Sequence, residues 1–226
     1  MKYSIHMAVI LLLALSSWTH GQDQITIRFP KAPVDQMFAF YRDFNTNTAL
    51  VLPSQWAGTP AKTVTLVPEK PIDRASATRL VEDALDKQLG IKFRHVSLEE
   101  ALALDMIAMS GEDTVLAVSL PPFPKQSPAD ASNEVRSISL PNASIEVFRK
   151  FYESVSGTRV IYSDLLNQQK VYAKFTLNVV GPMTKETARK LLDMTLAMQA
   201  AIKVSRNQPG QTLWTWDIPR RAPKAK

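Results

Sequence analysis

Cysteine occurs nowhere in the 226 residues. That absence removes disulfides, thiolate metal sites and cysteine nucleophiles, so stability must come from buried apolar cores. It also removes the lipid anchor that bacterial lipoproteins carry on a cysteine behind their leader. Histidine is scarce: His6 and His20 fall at the start, which leaves His95 alone in the body of the chain. One histidine cannot build a multi-histidine metal site. Glycine is sparse, with 7 residues, and neither a phosphate-cradling glycine loop nor a Gly-x-x-Gly clamp for RNA is present. Long apolar runs are missing too. The run at 7–15 is far below the ~20 residues that span a bilayer, and no later segment approaches that length. No cofactor, metal or catalytic activity is expected.

What is present begins with a leader-like start. Lys2 lies in a short polar opening, the apolar run follows, and small residues collect over 16–21. This is the order of a cleaved secretory signal peptide over 1–21, so a soluble mature protein in the bacterial periplasm is expected. Roughly 205 residues remain, enough for one large domain or two small ones with cores of their own. The net charge of +6 invites a nucleic-acid reading, but its placement opposes it. Segment 22–120 has 10 basic and 13 acidic residues, a balance of −3, while segment 136–219 has 11 and 6, a balance of +5. Arg220, Arg221, Lys224 and Lys226 add +4 in a basic tail. Without that tail the body is nearly neutral, and its halves are oppositely charged.

A repeat fixes more than any motif. At an offset of 111 residues, without a gap, Pro30 aligns with Pro141, Ala32 with Ala143, and Phe40-Tyr41 with Phe151-Tyr152. The same offset pairs Thr65-Leu66 with Thr176-Leu177, Pro71 with Pro182, Ala77 with Ala188, Leu80 with Leu191, and Leu85 with Leu196. Gln88 with Gln199 and Ile91-Lys92 with Ile202-Lys203 complete it.

Each copy reads as βαββαβ. Alternation over 25–29 and 137–140 gives an opening strand. Val34, Met37, Phe38 and Tyr41, matched by Ile145, Phe148, Tyr152 and Val155, give the buried stripe of a first helix. Short β-prone runs follow at 49–52 and 160–162, then strands at 63–67 and 171–179, the latter with Tyr172, Lys174, Thr176 and Asn178 facing outward. Asp73 and Thr184 are N-caps of a second helix with the stripe Leu80, Val81, Ala84, Leu85 or Leu191, Leu192, Thr195, Leu196. Strands return at 91–96 and 202–206. A closing strand, 114–120 resembling 212–218, is reached through a hairpin-like turn at 207–210 in the second copy. In the first copy it is reached through an insert, 97–113, where Ser97 and Glu100 form a capping box for an extra helix near 98–108. The expected fold class is α+β: two tandem domains, 22–120 and 136–219, each a small mixed sheet with two helices on one face. A semi-rigid Pro-rich linker over 121–135 joins them, and the basic tail over 220–226 follows.

Phe29-Pro30 and Leu140-Pro141 at the opening strands, residues 158–164, Val171-Tyr172-Ala173-Lys174-Phe175, Met183-Thr184-Lys185-Glu186 and Ile202-Lys203-Val204 carry a family resemblance. Their order resembles the N1-type periplasmic domain of bacterial secretins and the short N-terminal domain of some TonB-dependent receptors, over nearly the whole body of the chain. The resemblance implies a non-catalytic assembly module with envelope partners: a secretin, an inner-membrane secretion component, or a second copy of the chain. The sequence stops at Lys226, short of the β-rich channel domain of secretins, so an accessory or free-standing module is expected. The alternative is a receptor-like module that binds a small molecule or peptidoglycan fragment in a deep pocket between the domains.

His95 ends a strand whose counterpart carries Arg206, so a surface histidine is expected rather than a catalytic one. Glu82, Asp83 and Asp86 lie off the buried stripe and read as a solvated helix face. KH-type RNA binding lacks its glycine clamp and suits an exported chain badly. Asn142-Ala143-Ser144 matches a glycosylation sequon but follows a proline at a strand-to-helix turn, and carries no weight in a bacterial chain. Interface candidates are Trp56, Trp214, Trp216, Tyr172, Lys174, Arg220 and Arg221. Of these, Trp214 and Trp216 occupy the side of the closing strand where Leu116 and Val118 stand in the first copy, with core packing as the competing role. Trp56 competes as a local loop anchor. Opposite charge of the halves predicts head-to-tail association between copies or with a related ring.

Overall fold

Alternation and helical spacing become elements where the pattern expects them, with three departures: the opening strand expected over 25–29 is broken at 26–28, and a short strand at Ile72–Asp73 and a helix at Asp164–Gln168 are added. The computed structural model describes residues 24–45, 47–56, 62–109, 112–123, 133–168 and 173–216. The leader, residues 124–132 of the linker, Tyr172, Arg220 and Arg221 lie outside them. The first half runs β1 (Gln24–Ile25), β2 (Phe29–Pro33), α1 (Val34–Phe44), β3 (Thr48–Val51), a 3-10 turn (Ser54–Trp56), β4 (Thr63–Leu66), β5 (Ile72–Asp73), α2 (Arg74–Leu89), β6 (Lys92–Ser97), α3 (Leu98–Ala103), α4 (Met106–Met109) and β7 (Thr114–Ser119). The second runs β8 (Glu134–Ser144), α5 (Ile145–Ser156), β9 (Arg159–Tyr162), α6 (Asp164–Gln168), β10 (Lys174–Thr184), α7 (Lys185–Ala200), β11 (Ile202–Gln208) and β12 (Gln211–Trp216). The class is α+β.

The helices form for reasons visible in their residues. Helix α1 buries Val34, Met37, Phe38 and Tyr41, and α5 buries Phe148, Tyr152 and Val155, each a single stripe at three-to-four spacing. Asp73 caps α2 by accepting from the Ser76 amide at 2.8 Å, and Thr184 caps α7 by accepting from Thr187 at 3.1 Å. Ser97 and Glu100 form the full capping box of α3.

The strands of each half divide into two main sheets, not the single sheet that the pattern suggests, and the first half adds a short antiparallel pair, β1 with β5. β2 pairs with β4 and β8 with β10, both antiparallel. The other strands form three-stranded sheets in the order β3-β7-β6 and β9-β12-β11. Both helices of a half touch both of its sheets, so they do not sit on one open face. In the first half Val64 and Leu66 of one sheet and Leu50, Val115 and Ala117 of the other converge on Met37, Tyr41, Val81 and Leu85 in one buried cluster. Two apolar sheet faces need covering, and one helix pair covers both.

The closing strand is central in both three-stranded sheets but runs in opposite directions. β7 is parallel to β6 and antiparallel to β3, whereas β12 is antiparallel to β11 and parallel to β9. The connections dictate this. A turn through Pro209 and Gly210, the latter at φ 73°, can only return the chain antiparallel, while the helical crossover α3-α4 brings it back parallel. A second difference lies in register: Leu50 faces its own helices and Ala49 and Val51 face away, but at the 111 offset Val160 is the buried residue and Ile161 the exposed one. A one-residue slip exchanges the faces of a strand.

The halves are also joined by more than a linker. One buried cluster combines Ala49, Val51, Val96, Leu116 and Val118 of the first half, the insert residues Leu98, Ala101, Met106 and Met109, and the second half's own core. Helix α7 touches β3 and α4 as well as its own sheets. Its sequence allows this: Met194 and Met198 are buried where α2 has the exposed, ion-paired Asp83 and Lys87. A helix apolar nearly all round is covered nearly all round.

Candidate functional site

Beside α1 the two halves meet without closing and leave a cavity of about 420 Å³. Its first wall is helical. Asp35, Phe38, Ala39 and Arg42 recur at intervals of three and four, so they share one side of α1, and Leu50, Leu52 and Trp56 extend that side. The facing wall is the outward surface of the β8-β10 pair: Ser139, Pro141, Asn142, Thr176 and Asn178.

Both walls are braced from behind. Trp56 is buried and donates from Nε1 to Asp113 Oδ1 at 3.0 Å, and Gln55 Nε2 reaches the same oxygen at 2.9 Å. Hydrogen bonds from Gln55 and Trp56 hold the Asp113 carboxyl below the usual carboxylate range. The Lys62 ammonium lies 4.5 Å above the indole, within cation-π reach. On the other wall Gln199 takes the Thr176 N–H on its Oε1 and donates from Nε2 to the Thr176 carbonyl, both at 2.9 Å. The Asn142 N–H then donates to Thr176 Oγ1 at 3.1 Å. Between the walls, Arg42 Nε is fully covered and has no hydrogen-bond partner among the described residues. A covered donor without an acceptor costs about 1–3 kcal/mol unless something supplies one.

No protein-family model matches this chain, and neither does any curated protein or solved structure.

A second constellation occurs twice. Tyr41 donates to Glu82 Oε1 at 2.7 Å, and His95 Nε2 lies 3.0 Å from the same oxygen. At the 111 offset Tyr152 donates to Asp193 at 2.8 Å, and Arg206 donates to both Asp193 and Tyr152. Each network ties the first helix of its half to the second helix and to the strand after it. Burial, with help from the neighbouring carboxylate, pushes the Tyr152 hydroxyl up to about 12 and raises Tyr41 also. Both tyrosines therefore act as donors. Burial also raises the Asp193 carboxyl, against the pull of Arg206. The Gln199 clamp has its twin as well: Gln88 bridges the backbone N–H and carbonyl of Thr65 at 3.0 and 2.8 Å.

The interface candidates separate. Trp214 is fully buried among Phe148, Tyr152 and Tyr162, so it is core; it sits on the inner face of its sheet, while Leu116 and Val118 lie on the outer face of theirs. Trp216 is half-buried against the same core. Lys174 is exposed at the start of β10, and Trp56 is both a loop anchor and a cleft residue. Of the three acids expected on a solvated face, Asp83 and Asp86 are exposed, but Glu82 is drawn into the tyrosine network. Sequence reasoning missed Asp35, Arg42, Asn142 and Asn178. Carrying the offset through polar positions would have found the tyrosine networks; nothing local marks the cleft, because its walls come from different halves. Among the described residues no three metal-ligating side chains converge, and no helix is long and apolar enough to cross a membrane.

Proposed function

We propose that the chain is an exported, non-catalytic periplasmic module that works by binding other proteins, accessory to a secretin or pilus-type secretion assembly. The leader-like start and the secretin-like order of elements support export and family; one structural observation supports the mode of action. The outer face of the three-stranded sheet is occupied in one half and bare in the other. In the first half Ala49, Val51, Leu116 and Val118 are buried in the cluster shared with the second half. In the second half Ile161 and Leu213 stand opposite each other on β9 and β12, 40% and 37% exposed, with Leu165 nearby in sequence at 41%. Exposed apolar pairs on an open sheet suit a partner surface, and the chain already uses that face once for itself.

Light scattering of the exported chain at low and high salt, alone and with a candidate secretin periplasmic arm, tests this. Association that weakens when Leu213 becomes aspartate is expected. A strictly monomeric species, indifferent to salt and to every envelope partner tried, removes the proposal. The cleft between the halves favours a second reading, a receptor-like module for a small molecule or peptidoglycan fragment, since ligand sites gather at such junctions with mostly apolar walls and a few polar groups.

A further inference from the structure

We infer that the cleft between the halves binds a short zwitterionic peptide, its free carboxylate on Arg42 and its free amine at Asp35. The inference rests on the second reading above and names the ligand class. The charges, lining and size of the cleft converge on it. Arg42 lines the cleft and its guanidinium has no ion pair or acceptor among the described residues; its Nε is covered, which leaves the two terminal nitrogens to take a carboxylate through two parallel N–H donors. Asp35 lines the same cleft and, among the described residues, forms no ion pair and accepts one hydrogen bond, from the Gln36 amide.

The two charges are spaced for a ligand and not for each other. They lie seven residues apart on one side of α1, which at 1.5 Å per residue separates them by roughly 10 Å. An extended chain covers about 3.3–3.6 Å per residue, so about three residues fit between them. The surface between the charges is apolar, made by Phe38, Leu50 and Leu52, and asks for an apolar central side chain. The facing wall offers the side-chain amides of Asn142 and Asn178, which have no hydrogen-bond partners among the described residues and can pair with peptide N–H and C=O groups. The cavity of about 420 Å³ is of small-ligand size.

Titration calorimetry of the full exported chain with the tripeptide Ala-Leu-Ala tests this, alongside its C-terminal amide and its N-acetyl form. Binding of the free tripeptide is expected, weakened about tenfold or more by amidation and a few-fold by acetylation. Arg42→Gln should weaken the free tripeptide as much as amidation does and should make amidation itself ineffective. Arg42→Lys should restore part of the loss, which separates charge from folding. Asp35→Asn should do the same for acetylation. If the three peptides bind equally, the cleft takes ligands but not by their charges, and the inference fails while the second reading stands. If none binds at millimolar concentration, and the backbone resonances of Arg42 and Asn178 do not move, both fall.

Discussion

Replacing Met198 by alanine probes whether the two halves are one folding unit. Met198 is fully buried on α7, at the position where α2 places the exposed Lys87, and its helix lies against β3 and α4 of the first half. Truncating a buried methionine removes transfer free energy and leaves a cavity, together about 2–5 kcal/mol. If the shared cluster is cooperative, an expected loss of about 3 kcal/mol appears in both halves, and amide exchange that proceeds through global opening accelerates about a hundredfold. Hydrogen exchange followed at Leu50 and Leu116 in the first half, and at Leu177 and Val179 in the second, reads this out. Lys87→Ala, at the equivalent exposed site, should change neither by more than about 0.5 kcal/mol. Acceleration confined to Leu177 and Val179 would show that the halves unfold separately and would refute the reasoning from the shared core.

Three further outcomes follow from particular atoms. Ala201 ends α7 at φ 51°, where α2 ends with Gly90 at φ 72°, so Ala201→Gly should stabilise by up to about 1 kcal/mol and Gly90→Ala should cost about as much; thermal melts check both signs. Gln199 is buried and Gln88 exposed although they make the same clamp, so Gln199→Ala should cost clearly more than Gln88→Ala in denaturant titrations, because it leaves strand groups unsatisfied away from water. The folded Asp113 carboxyl lies below its ordinary range through bonds from Gln55 and Trp56. Its contribution is therefore present above the ordinary aspartate range and lost as pH falls through the depressed value. The Trp56 indole N–H resonance should shift through that acid window in the native chain and stay flat there in Asp113→Asn.

Local features of this fold are legible in the sequence, and relations between distant segments are not. The stripe of α1, the caps Asp73 and Thr184 and the capping box at Ser97 depend on residues within one helical turn, and each forms where its spacing predicts. The burial of Trp214 is open in the sequence, because alternation sets it opposite Leu213 without saying which side the helices cover. The division of each half into two sheets depends on which strands pair across helices, which periodicity does not encode. The gapless offset also conceals the slip at Leu50 and Ile161, because apolar residues on both faces of β3 let either register look correct. The join was written in the chain in one respect: Asp83 and Lys87 align with Met194 and Met198, and a polar face that turns apolar in the second copy marks a surface with a new neighbour. The cleft had no such mark, since Arg42 and Asn178 become neighbours only after that join.

The insert over 97–113 links these differences into one cause. As a helical crossover it reverses the direction of β7 relative to β12. Its apolar residues Leu98, Ala101, Met106 and Met109 lie in the shared cluster with Met194 and Met198. A hairpin there, as between β11 and β12, would remove α3 from beside β6 and β7 and uncover that side of the first sheet, while α7 and β10 would still lie against β3. The second half has that hairpin, and its corresponding face is bare, but it carries Arg159, Lys203 and Ser205 around Ile161 and Leu213. A face that is always covered can be wholly apolar, whereas one that must survive alone in water keeps its apolar area small and ringed by polar groups. That contrast is what a permanent intramolecular contact and the proposed intermittent partner site would require of the same sheet.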